Sequence, residues 1–110
     1  MKANDYQMLA SRTINKNLYL DEMEIHAILG MASEVGELQG IYQKEYQGHE
    51  FDEAHAKKEL GDLLWFIAEY CTAMEWCMEE VMQENIDKLK ERYPEGFKVE
   101  QSLNRKEGDI

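Results

Sequence analysis

Apolar residues recur along this chain at three- and four-residue intervals almost throughout, and no stretch alternates long enough to make a strand. The pattern predicts an all-α fold of four helices, a four-helix bundle-like arrangement. Helix one is expected from about Asp5 to Lys16, with Tyr6, Leu9, Ala10 and Thr13 on one face and a polar break at Asn15-Lys16-Asn17. Asp21 followed by Glu24 has the form of a capping box, with Leu20 as its hydrophobic staple, and so predicts the start of helix two. That helix carries Met23, Ile28, Met31, Val35, Leu38 and Tyr42 and should stop near Gly48. Asp52 is placed to cap helix three, whose run from Leu60 to Ala68 is apolar on nearly every side, as suits a central helix. Periodicity alone would carry this helix on to Tyr93. Some forty residues at 1.5 Å each would span about 60 Å, too long for so small a domain, so a turn is expected near Glu75-Trp76-Cys77. Helix four then runs from about Met78 to Arg92, with Val81, Met82, Ile86, Leu89 and Tyr93 inward, and ends where Pro94 and Gly96 forbid continuation.

With 110 residues and a single proline, the chain reads as one domain, 1–110, whose polar residues 98–110 form a loosely held tail. Its formal charge of −11 leaves no basic stripe for a nucleic-acid polymer, although a free nucleotide could bind through a metal ion. No apolar run reaches membrane-spanning length, and Met1-Lys2-Ala3-Asn4-Asp5 lacks the apolar stretch of a signal peptide, which together predict a cytoplasmic protein with no membrane partner. Cys71 and Cys77 match neither zinc-ligand nor redox spacing and are read as buried, reduced thiols.

Against this background two acid pairs stand out, Glu34-x-x-Glu37 and Glu59-x-x-Asp62. Acid pairs three apart are expected by chance in so acidic a chain, and Asp21/Glu24, Glu50/Glu53 and Glu84/Asp87 are others. Surroundings separate them. Apart from Glu37, every helical neighbour of Glu34 is apolar or glycine, and Asp62 lies beside Trp65 and Phe66, whereas Glu84 sits among Glu80, Asp87, Lys88 and Glu91 on a solvated face. Carboxylates crowded on a partly buried surface repel one another and lose hydration, which raises their pKa values or recruits a cation. Gly30, Gly36, Gly40 and Gly61 lie within the same helices at about 1 kcal/mol each relative to alanine. Close backbone approach would offset that cost and set Glu34 and Glu37 opposite Glu59 and Asp62. His26, His49 and His55 are read as structural or exposed, and Met74, Met78 and Met82 as core filling.

Two motifs, Ser33-Glu34-Val35-Gly36-Glu37-Leu38 and Lys58-Glu59-Leu60-Gly61-Asp62-Leu63-Leu64-Trp65, together with Tyr6-Gln7, Arg12-Thr13 and the segment from Asn85 to Phe97, carry a family likeness over nearly the whole chain. The chain resembles the all-α nucleoside triphosphate pyrophosphohydrolases of the MazG-like group. The resemblance implies that Glu34, Glu37, Glu59 and Asp62 bind Mg²⁺, with Mn²⁺ as a possible substitute, and serve hydrolysis of a nucleoside triphosphate between its α and β phosphates. It also implies a homodimer or homotetramer, and Lys44, Asn85, Lys88 and Arg92 as contacts for phosphate or sugar. Lys44, Lys88 and Arg92 read equally as cations favoured near helix C-termini, and Gln43 precedes Lys44 where many relatives carry a second lysine. Trp65 is the aromatic residue best placed to meet a base, although Trp65 and Phe66 also read as core. The other reading of the acids is a non-catalytic helical module that holds a metal ion or a protein partner. A di-iron carboxylate bundle would need Glu-x-x-His on two helices, and only Asp52-x-x-His55 comes near it.

Overall fold

The computed structural model describes residues 1–110 and contains five helices and no strand: α1 (Ala3–Ser11), α2 (Leu20–Tyr46), α3 (Glu53–Ala73), α4 (Met78–Arg92) and α5 (Val99–Leu103). Local chemistry fixes most of the boundaries. The Asp52 carboxylate accepts the His55 backbone N–H at 3.0 Å, as expected of an N-cap. Gly48 adopts φ +101°, and the Gly48 and His49 amides close α2 on the carbonyls of Glu45 and Lys44. The turn between α3 and α4 falls at Met74–Cys77, with Glu75 at φ 60°.

Two boundaries differ from expectation. α1 ends at Ser11 rather than near Lys16, and Thr13 turns its hydroxyl back onto the Ala10 carbonyl at 3.0 Å. α2 begins one residue before the expected Asp21 cap. Tyr19 is the N-cap, and the Glu22 carboxylate accepts its N–H at 3.0 Å, so the working acid is Glu22 rather than Glu24.

α2 and α3 form a long antiparallel pair, while α1 lies against α3 and also reaches α4. The core follows that seam. Ala10, Ala68, Cys71 and Met78 form one buried cluster, Ile14, Met23 and Ala73 a second, and Trp65 packs against both. Gly30 lets the pair close up, because a Cβ there would stand 2.1 Å from Cε1 of Phe66. Gly36, Gly40 and Gly61 have open space where a Cβ would be, so the close approach inferred for all four glycines holds within the chain for Gly30 alone.

Helix α4 departs further from the expected bundle. Its main neighbour is α1, which leaves Val81, Met82 and Ile86, expected to point inward, exposed. Met78 is buried as core filling, but Met82 is not, and Cys77 is exposed whereas Cys71 is buried. The segment expected as a loose tail forms α5 and a turn whose Asp109 returns to Arg92.

Candidate active site

One turn of α2 presents Glu34 and Glu37, and one turn of α3 presents Glu59 and Asp62. The antiparallel register set at Gly30 and Phe66 brings these turns together. Carboxylate oxygens of Glu34, Glu59 and Asp62 all lie within 4.8 Å of one another. Glu59 is 7 % exposed, Glu34 is half-buried and Asp62 is exposed, so the cluster is sealed at one side and open at the other. Glu37 lies outside this trio but still acts on Glu59, so the four acids share one field.

Crowding governs their protonation. Contact with Glu59, followed by burial and by the charges of Glu37, Glu59 and Asp62, raises Glu34 to about 7. Contact with Glu59 also raises Glu37. Glu59 moves the other way: its contact with Glu34 lowers it against the opposing effect of burial, helped by Glu37 and by His55, whose Nε2 sits 2.9 Å from its Oε1. Without a cation, the trio is therefore relieved by a proton on Glu34. Oε2 of Glu34 and Oε2 of Glu59 are both buried without any hydrogen-bond partner. Two unpaired carboxylate oxygens in one cluster are costly in a folded protein unless something positive meets them. Hard oxygen donors from carboxylates match the coordination preference of Mg²⁺, and the residues present fit that ion.

Other residues border the cluster. Tyr6 of α1 has its phenol pKa raised by burial and then by the charge of Asp62, which places it near the open carboxylate. His55, read from sequence as structural or exposed, bonds Glu59. Glu69, a buried acid outside both motifs, lies wholly inside the α2–α3 seam, with Nδ1 of His26 at 2.8 and 2.9 Å from its two oxygens. The signal for this pair was a lone acid ending an apolar helical run, with a histidine two turns before Glu34 on the antiparallel partner.

The remaining candidates are scattered. Trp65 serves the core, and its indole N–H donates to the Thr13 hydroxyl at 2.8 Å. Lys44 is exposed in the last turn of α2, where its carbonyl caps the helix. Asn85 and Lys88 are exposed on α4. Arg92 is held by Asp109 through Nε at 2.8 Å and Nη2 at 2.6 Å, on the wall of a cavity of about 550 Å³ that Lys88 also lines. That pairing, ahead of the contributions of Arg105 and Lys88, holds the Asp109 carboxyl below its ordinary range.

A family model described as the MazG nucleotide pyrophosphohydrolase domain matches residues 24–97, more than half of the chain and all four acids. No curated protein and no solved structure matches it.

Proposed function

The chain belongs to the MazG nucleotide pyrophosphohydrolase domain family, and from that membership and its carboxylate cluster we propose that it is a Mg²⁺-dependent nucleoside triphosphate pyrophosphohydrolase. It would cleave a ribo- or deoxyribonucleoside triphosphate to the monophosphate and pyrophosphate, a reaction suited to cleansing a nucleotide pool. The observation that carries this reading is the trio Glu34, Glu59 and Asp62 within 4.8 Å, with two of its buried oxygens unpaired.

Glu34, Glu59 and Asp62 would hold the ion, with Glu37 beside them and Mn²⁺ as an alternative occupant. When bound, Mg²⁺ neutralises the triphosphate and increases the acidity of water beside it. The chain positions the reacting groups. His55 orients Glu59 through its short hydrogen bond, the buried side of the cluster limits competing water, and the open side at Asp62 and Glu37 admits the phosphate chain. Water then attacks the α-phosphorus in line with departing pyrophosphate, and one of the four carboxylates accepts its proton. Asn85, Lys88 and Lys44 remain the proposed phosphate or sugar contacts. Arg92 is held to Asp109 through Nε and Nη2, which leaves Nη1 for a phosphate, and Trp65 keeps its N–H on Thr13.

A homodimer or homotetramer is part of the proposal. The chain exposes 8594 Å² at a mass of 12.9 kDa, where a compact monomer of that mass exposes about 6,300 Å². The excess, roughly 2,000 Å², is on the scale that obligate partners bury.

The direct test is pyrophosphate release from a panel of nucleotides with and without Mg²⁺. The expected outcome is metal-dependent release that Glu37→Gln abolishes without unfolding the protein. Mg²⁺ binding with no turnover of any nucleotide would instead mark a non-catalytic module.

A further inference from the structure

On the α2–α3 seam, the carboxylate cluster continues into a line of groups with no part in the phosphate chemistry. On α2, Glu34, Gly30 and His26 follow at four-residue steps, and on α3 Asp62 is followed by Phe66 and Glu69. Phe66 lies against Gly30, its ring 5.7 Å from the His26 ring at a tilt of 56°. Glu69 is the largest fully buried side chain in the protein, and its two oxygens share one partner, Nδ1 of His26. A buried carboxylate on an otherwise apolar seam fixes the imidazole as the second member of a carboxylate–histidine pair does. With Nδ1 engaged, Nε2 is the ring nitrogen free to meet a ligand, and the side chain is 50 % exposed.

Eight residues of helix separate His26 from Glu34, about 12 Å along the axis. An extended nucleotide gripped by its phosphates at the acids would lay its nucleoside end over such a stretch. Resting on the pyrophosphohydrolase reading above, we infer that His26, held by Glu69, is a specificity-determining residue whose Nε2 hydrogen-bonds the nucleoside end of the substrate. Glu69 is its positioning residue, and neither group touches the phosphates.

The test is equilibrium binding in Mg²⁺ of two probes, a panel of nucleoside α,β-imidotriphosphates and inorganic tripolyphosphate, which carries the phosphates without the nucleoside. His26→Ala is the first variant. His26→Leu combined with Glu69→Leu is the second, since replacing both members of a buried pair by apolar groups spares the fold while removing Nε2. In both variants the best-bound nucleotide should weaken about tenfold, the scale of one lost hydrogen bond in a semi-buried site, while tripolyphosphate stays within twofold of wild type. Equal weakening of both probes, or of neither, overturns the role of His26 and leaves the pyrophosphohydrolase reading standing. A wild-type protein that binds neither probe sinks that reading, and the role of His26 falls with it.

Discussion

At the scale of single residues, the cluster makes the protein sensitive to pH in a definite direction. Glu34 is raised to about 7, so in the absence of metal folding favours its protonated form. The sign follows for this group: its contribution to stability is full below the ordinary carboxylate range and is lost as pH rises through about 7, the reverse of a salt-bridged carboxylate, while Glu59, shifted down, contributes in the opposite sense. Metal needs the ionised form, so Mg²⁺ affinity should climb through the same interval and level off above it. Melting scans in EDTA and in Mg²⁺ from pH 5 to 8.5 should therefore diverge, with the Mg²⁺-induced gain in Tm growing with pH. Glu34→Gln should remove most of that divergence and melt no lower than wild type in EDTA. At the other end of the seam, His26→Ala leaves the buried Glu69 carboxylate without a partner and should destabilise the fold, measured by urea denaturation. The paired leucine variant should recover most of that loss. Glu34 stood out in sequence because its helical neighbours, Glu37 apart, are apolar or glycine. Glu69 did not, because its partner lies 43 positions away and only the register of two helices joins them.

At the scale of elements, glycine divides into two roles that spacing along the chain cannot distinguish. Gly30 is where α2 and α3 touch, and a methyl group there must displace the Phe66 ring. Gly30→Ala should lose about 1 to 3 kcal/mol by overpacking and disturb the carboxylate register as well. Gly36 meets nothing within the chain, so Gly36→Ala should gain about 1 kcal/mol of helix propensity. A loss at Gly36, read by thermal melting, would show that another copy occupies the space beside it. Helix four and the caps at Asp52 and Gly48 were readable from local signals, because capping chemistry acts within a few residues. The inward face assigned to α4 was not, since periodicity reports that a stripe is apolar without naming its partner, and Val81, Met82 and Ile86 remain about half exposed.

At the scale of the whole molecule, the radius of gyration of 17.3 Å exceeds the roughly 13 Å of a compact chain of this length. The exposed apolar face of α4 and the open glycines of α2 and α3 tell the same story, and sedimentation at micromolar concentration should find a homodimer or homotetramer. Changing Met82 and Ile86 together to glutamate should shift that distribution towards monomer. The family match runs from residue 24 to 97 and so takes in most of α2 and all of α3 and α4, without α1 or α5. The proposed hydrolysis requires acids of two antiparallel helices to act together on a bound nucleotide. Its most direct measurement is pyrophosphate release from the four ribo- and four deoxyribonucleoside triphosphates, by wild type and by Glu34→Gln, in Mg²⁺ and in EDTA. Release by wild type in Mg²⁺ only, and by the variant in neither condition, is the predicted result. Release that persists in EDTA or survives the substitution, or none from any nucleotide, would contradict it.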